Sequence, residues 1–177
     1  MTTSTWNIDA SHSSIHFIAR HMIITKVRGA FKAFAGTIAL DEADMTKSSV
    51  QVDIEAGSID TAEPKRDGHL KSADFFDVEK YPSLTFKSKS IQKSGNNYEV
   101  VGDLTIHGVT KEVTLHSLFE GRGKDPWGGE RVAFAAKTSV NREDFGLTWN
   151  QVLEAGGVLV SSKIEIELEI QAVLAKA

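Results

Sequence analysis

The chain has 177 residues, 41% of them hydrophobic and 25% charged, with a formal net charge of −4. Those values fit one folded domain over residues 1–177 and exclude a disordered chain. The negative charge argues against nucleic acid as a partner and gives no support to a polybasic membrane anchor. The absence of cysteine excludes disulfides, thiolate metal sites and cysteine nucleophiles.

The start, Met1-Thr2-Thr3-Ser4-Thr5-Trp6, has no basic segment followed by an apolar run, and no stretch of the chain is long and apolar enough for a transmembrane helix. As written, the expected location is cytoplasmic; a trimmed leader would make it periplasmic. The first strands are expected over residues 13–20 and 31–40. The next, 49–56, alternates cleanly, with Val50, Val52, Ile54 and Ala56 set against Ser49, Gln51, Asp53 and Glu55. Period two is the mark of a half-buried strand.

Residues 64–76 break the pattern. Pro64 suits the first turn of a helix, and Leu70, Ala73 and Phe76 are spaced for one face, although Gly68 weakens it. Strands resume at 83–91, 98–106, 111–119 and 131–140, separated by turn signals at Ser94-Gly95-Asn96-Asn97, His107-Gly108 and a glycine-rich loop over 121–130. A tight turn is expected over 141–146, leading into a loop around Trp149. The last strand lies within 157–173, where Ile164, Ile166, Leu168 and Ile170 face one way and Lys163, Glu165, Glu167, Glu169 and Gln171 the other. If straight, that span would reach roughly 55 Å at about 3.3 Å per residue.

About eight antiparallel strands close a small barrel, but alternation alone does not separate a barrel from a sandwich. Nor does it separate an interior filled by side chains from one open to a ligand.

Several phrases, in order, carry a resemblance. They are Trp6-Asn7-Ile8-Asp9 with His12-Ser13; Val27-Arg28-Gly29-Ala30-Phe31 with Phe34 and Gly36; and Ser58-Ile59-Asp60-Thr61. Then come Arg66-Asp67-Gly68-His69-Leu70-Lys71-Ser72-Ala73-Asp74-Phe75-Phe76-Asp77, Tyr81-Pro82 and Phe86. Gly102-Asp103-Leu104-Thr105-Ile106-His107-Gly108-Val109-Thr110-Lys111 and Asn141-Arg142-Glu143-Asp144-Phe145-Gly146 complete the set. Together they resemble the YceI family of lipocalin-like, polyisoprenoid-binding proteins. The resemblance implies an all-β fold: an elongated eight-stranded antiparallel barrel with one short helix near residues 64–76. It further implies a bound polyisoprenoid or similar long lipid, such as a polyprenyl phosphate or an isoprenoid quinone, and no required cofactor. Many family members carry an export signal, which is not visible here.

On that basis the expected tunnel lining is Phe17, Phe31, Phe34, Val52, Ile54, Phe86, Leu104, Phe134, Ile164, Ile166 and Leu168. Phe31 and Phe34 are three apart and cannot share a strand face without a bend, so one of them is a candidate cap. A head group would need donors, and Arg28, Arg66, His69 and Arg142 are the candidates because they supply fixed N–H groups. The competing role of each is to pair with local acids such as Asp67 or Asp144.

No metal is expected. The six histidines, His12, His16, His21, His69, His107 and His116, show no ligand motif; His12 and His16 are evenly spaced but lack a third partner. There is no Gly-x-Ser-x-Gly elbow, Gly121-Arg122-Gly123 lacks the lysine and hydroxyl of a phosphate loop, and Asp41, Glu42 and Asp44 read as a solvated turn. With the resemblance, the expected function is lipid storage or transport by a protein that is not an enzyme. The alternatives are an enzyme acting on such a lipid and a stress-related scaffold with a filled barrel. A long strand edge also leaves a homodimer open.

Overall fold

The computed structural model describes residues 3–22, 24–151, 153 and 159–176. Eleven strands form a single sheet: β1 (Thr3–Ile8), β2 (Ser14–His21), β3 (Thr25–Phe31), β4 (Phe34–Asp41), β5 (Ser49–Glu55), β6 (Ile59–Asp60), β7 (Ser83–Ser94), β8 (Asn97–Ile106), β9 (Val109–Lys124), β10 (Glu130–Asn141) and β11 (Lys163–Leu174). One helix, α1 (Pro64–Lys71), interrupts them. The sheet order is β1-β4-β5-β7-β8-β9-β10-β11-β2-β3-β6, and β1 also pairs with β11.

These eleven segments are eight long strands, three of them broken once. β1 and β2 both pair with β11, at Trp6↔Leu174 and Ile15↔Leu168, with the 3-10 turn Ala10–His12 between them. β3 and β4 form the next long strand, broken at Lys32 and Ala33, and pair with β2 and β1 in turn. β5 and β6 form the third, with a 3-10 turn at Ala56–Ser58. Neighbours are then joined by antiparallel ladders all the way round, and the β1–β11 pairing closes an eight-stranded antiparallel barrel. Closure leaves no whole strand with a free edge of the kind that would template aggregation.

At each break the inward face changes from even to odd residue numbers, or back. Trp6 and Ile8 face in on β1, but Ile15 and Phe17 do on β2. Ile54 is buried on β5 and Ile59 on β6. Phe31 and Ile38 are both buried although their numbers differ in parity. The expected single strand 31–40 is therefore two strands, and the required bend lies at Lys32–Ala33. Backbone bonds Lys32 N–H to Ser58 O (3.1 Å) and Glu55 N–H to Ala33 O (2.9 Å) hold the break together.

The helix is shorter than the expected 64–76. Glu63 caps it by accepting from Arg66 N–H, Pro64 sits in its first turn, and it ends at Lys71. Residues 72–76 continue as turns, with Phe76 N–H bonded to Leu70 O at 2.9 Å. The expected loop 121–130 is strand as far as Lys124, with an irregularity opposite Ala133/Phe134. Residues 141–146 do turn tightly, as the 3-10 turn Arg142–Phe145 closed by Gly146 at φ 79°. Of the expected strand 157–173, residues 157 and 158 lie outside the described residues, and β11 begins at Lys163.

Candidate lipid-binding lumen

A cavity of about 260 Å³ runs inside the barrel, lined by residues from every long strand, from Ile8 on β1 to Ile170 on β11. At one end its wall includes Ile38, Leu40, Met45 and Tyr98; at the other, Leu70, Phe75, Phe76, Phe145 and Leu147. Alternation makes this lining apolar, since each strand sends every second side chain inward. On β11 those side chains are Ile164, Ile166, Leu168 and Ile170, and all four are only half-buried. Val52, Val113 and Leu115 on the other walls are half-buried in the same way. Aliphatic side chains that face inward and still keep accessible surface are facing open space.

Two glycines keep that space open. A Cβ at Gly29 would lie 2.3 Å from the Phe17 ring, and one at Gly102 would lie 2.5 Å from the Phe86 ring. Each ring therefore lies flat over a bare patch of wall instead of projecting into the lumen.

The α1 end carries an aromatic roof. His69 meets Trp149 edge-on at 4.7 Å and Phe75 at 5.1 Å, and Phe31 meets Phe76 at 5.8 Å. Arg142 is buried beneath it and is the sole lysine, arginine or carboxylate residue in the described lining. Its guanidinium donates to four backbone carbonyls: Leu147 at 2.6 Å, Ser161 at 2.8 Å, Trp149 at 2.9 Å and Val160 at 3.3 Å. Burial pushes its pKa down, yet no described carboxylate pairs with it. A planar fork of donors binding four carbonyls ties the loop after β10 to the segment before β11. His16, between the inward residues Ile15 and Phe17 and opposite Glu167, belongs to the outward register of β2; burial first, then Arg28 and Lys32, lower its pKa, which favours the neutral ring.

Ten of the eleven expected lining residues border this cavity; Phe34 instead packs, half-buried, against the core beside it. The four expected head-group residues do not converge. Arg28 lies outside the wall, paired with Glu167 at 3.1 Å. Arg66 donates to the Thr61 hydroxyl and carbonyl, both at 2.8 Å, and so ties α1 to the residue that follows β6. His69 sits in the aromatic roof with Asp74 at 2.9 Å. Only Arg142 reaches the lumen, and there it holds backbone.

Trp6 was not anticipated. It is fully buried, with Ile38, Leu40, Val132 and Ala172 around it, and it packs the end of the barrel away from α1. Its Nε1–H donates to Ser4 Oγ at 2.9 Å, and the Arg122 guanidinium lies 5.3 Å from its ring. At the same end Arg131 donates to Asp9, Asp125 and Gln171. The signal was present in the alternation of Trp6 and Ile8, but the strand ends too soon, at Asp9, to stand out. Among the described residues no cluster of three potential metal ligands occurs, and no helix is long and apolar enough to cross a membrane.

A closed antiparallel barrel around an apolar lumen defines a lipocalin-type architecture. The comparisons agree with it. A YceI-like domain matches residues 6–172, and the chain belongs to the YceI family. It is 40% identical over 164 residues to a UPF0312 protein of Vibrio cholerae, covering 92% of this chain and 82% of that one. Among solved structures it is similar to Burkholderia cenocepacia BcnA, with a TM-score of 0.82 and 25% identity over 93% of this chain and 98% of the other. A polyisoprenoid binding domain from Saccharophagus degradans shares the fold, with a TM-score of 0.69 and 14% identity, over 98% of this chain and all of that one.

Proposed function

We propose that the barrel holds a long apolar chain, a polyisoprenoid or isoprenoid quinone, for storage or transport. The observation that carries this reading is the lumen, whose inward aliphatic side chains keep accessible surface. Left empty, 260 Å³ of apolar void would cost on the order of 6 kcal/mol at about 24 cal/mol per Å³. That is comparable with the whole stability of a typical domain, roughly 5–15 kcal/mol. A prenyl tail would recover those contacts and gain about 25 cal/mol for each Å² of apolar surface it removes from water. The binding reported in the name of the Saccharophagus domain supports the same class of ligand. The half-exposed lining speaks against a barrel filled by its own side chains, and the one arginine in the described lining is engaged in holding backbone, which leaves no acid–base pair facing the lumen among the described residues.

Organic extraction of protein purified without detergent, followed by mass spectrometry, tests this reading. A long-chain lipid near one per chain is expected. Bare protein in native mass spectra together with an empty extract would overturn it.

A further inference from the structure

The barrel wall is not continuous. The β9–β10 ladder runs from Glu130↔Lys124 to Lys137↔His116 and stops. Both strands continue: β10 stays paired with β11 as far as Asn141↔Lys163, and β9 stays paired with β8 as far as Val109↔Ile106. Between Val109–Leu115 on one side and Thr138–Asn141 on the other, no backbone pairing crosses the seam.

A second pocket, of about 690 Å³, lies at this split. Its wall includes Lys111, Lys137 and Lys163, and five of its residues also line the lumen: Val113, Thr138, Val140, Phe145 and Ile166. Inner and outer spaces thus share one thin partition, and that partition lacks a hydrogen-bonded ladder.

Lys111 marks the same place. It pairs with Leu104, a buried inward residue, and stands between Val109 and Val113 on the inward register of β9. An ammonium group in an apolar lumen would be very costly. Lys111 is nevertheless exposed and lines the outer pocket, so its charge emerges through the split. Its aliphatic stem suits the lip, with the charged end in water. Four carboxylates share this wall: Glu112 and Glu167 are ion-paired with Lys89 and Arg28, whereas Asp144 and Glu165, like Lys111, Lys137 and Lys163, form no ion pair among the described residues.

We propose that the split between β9 and β10 is a lateral portal. The tail of an amphiphile passes through it into the lumen, and a head group that accepts hydrogen bonds stays in the outer pocket against Lys111. This rests on the lumen holding a lipid, and the test separates the two ideas. The chain has no cysteine, so a pair can be placed at will. Continuing the ladder register sets Ser139 opposite Thr114, both on the outward face. Thr114→Cys with Ser139→Cys, bridged by a short bismaleimide, clamps the split. Leu118→Cys with Ala135→Cys clamps the paired half of the same seam and serves as the control.

Uptake of radiolabelled geranylgeraniol by delipidated full-length protein is the readout. The split clamp should slow uptake at least about tenfold, as for a binding step that needs the wall to open, while the control clamp leaves it unchanged. Unchanged uptake under the split clamp would overturn the portal while leaving the lumen intact. No uptake by any form, unclamped protein included, would overturn the lumen and the portal with it. Lys111→Met keeps the stem and removes the charge. It should weaken geranylgeranyl phosphate about tenfold, the scale of one lost charge-assisted hydrogen bond, and geranylgeraniol much less. Equal affinities of wild type and variant for both probes would overturn the head-group position.

Discussion

One strand, β11, passes through two different interiors. At Ala172 it is fully buried against Trp6 and Val132, with no space left. Six residues earlier, Ile166 points the same way and is half-buried in open lumen. The alternation is the same in both places, and what differs is the facing side chain. Trp6, supplied by a strand of six residues, fills one end of the barrel; the middle has no counterpart, and Gly29 and Gly102 let its aromatic rings lie back against the wall. Periodicity places a side chain inward, and its neighbours decide whether it is core or lining.

Paired truncations break this comparison most directly. Trp6→Ala should cost about 3–5 kcal/mol, the range for a large aromatic removed from a packed site. Ile166→Ala in delipidated protein should cost less than about 1.5 kcal/mol, because part of its surface is already exposed. Urea titrations of both variants decide the matter, and equal losses would mean that the lumen is packed core. Arg142→Leu comes next, at about 3 kcal/mol, since it leaves buried carbonyls without donors. Arg142→Lys should rescue only part of that loss, because three donors cannot serve four acceptors.

A third variant adds bulk. Ile166→Trp should stay within about 1 kcal/mol of the delipidated wild type, against the roughly 1–3 kcal/mol of an overpacked core. It should lose its extractable lipid. A strongly destabilised variant that keeps full lipid would contradict the lumen position of this residue.

The smallest effect belongs to the sealed end and depends on pH. The Ser11 hydroxyl, then Arg131 and His12, hold the Asp9 carboxyl well below its ordinary value of 3.8. A lowered folded-state pKa means that the carboxylate stabilises the fold above that ordinary value, and that this contribution fades as pH falls through the folded value. Asp9→Asn should therefore lower stability at pH 7 by no more than about 1 kcal/mol, as for a partly exposed ion pair. The gap to wild type should narrow steadily below pH ~4. Thermal midpoints taken across that range would show it, and a gap that stays constant would remove Asp9 from the acid response.

The eight long strands and most of the lining were legible because β5 and β11 alternate without a fault. The breaks at Ala10–His12, Lys32–Ala33 and Ala56–Ser58 were not, since a change of inward parity erases the very period being read. Phe31 and Phe34 gave the one hint, being too close to share a face on an unbroken strand. Among the polar candidates the sequence could not rank Arg142 above Arg28, although one is buried and the other lies on the outer wall. Both stand in family phrases, and the difference arises from carbonyls up to 19 residues away. Lys111 was read as the start of an expected strand, because its inward register depends on pairing with Leu104 across a turn.

The three breaks lie side by side on neighbouring strands and form a crease across one wall of the barrel. Elsewhere a single inserted or deleted residue turns every later side chain of that strand inside out. At the crease the exchange of faces is already built in and absorbed by short turns. Length changes there can shift the wall by whole steps without everting it, so relatives with deeper or shallower lumens should differ in chain length at this latitude before they differ within β10 or β11.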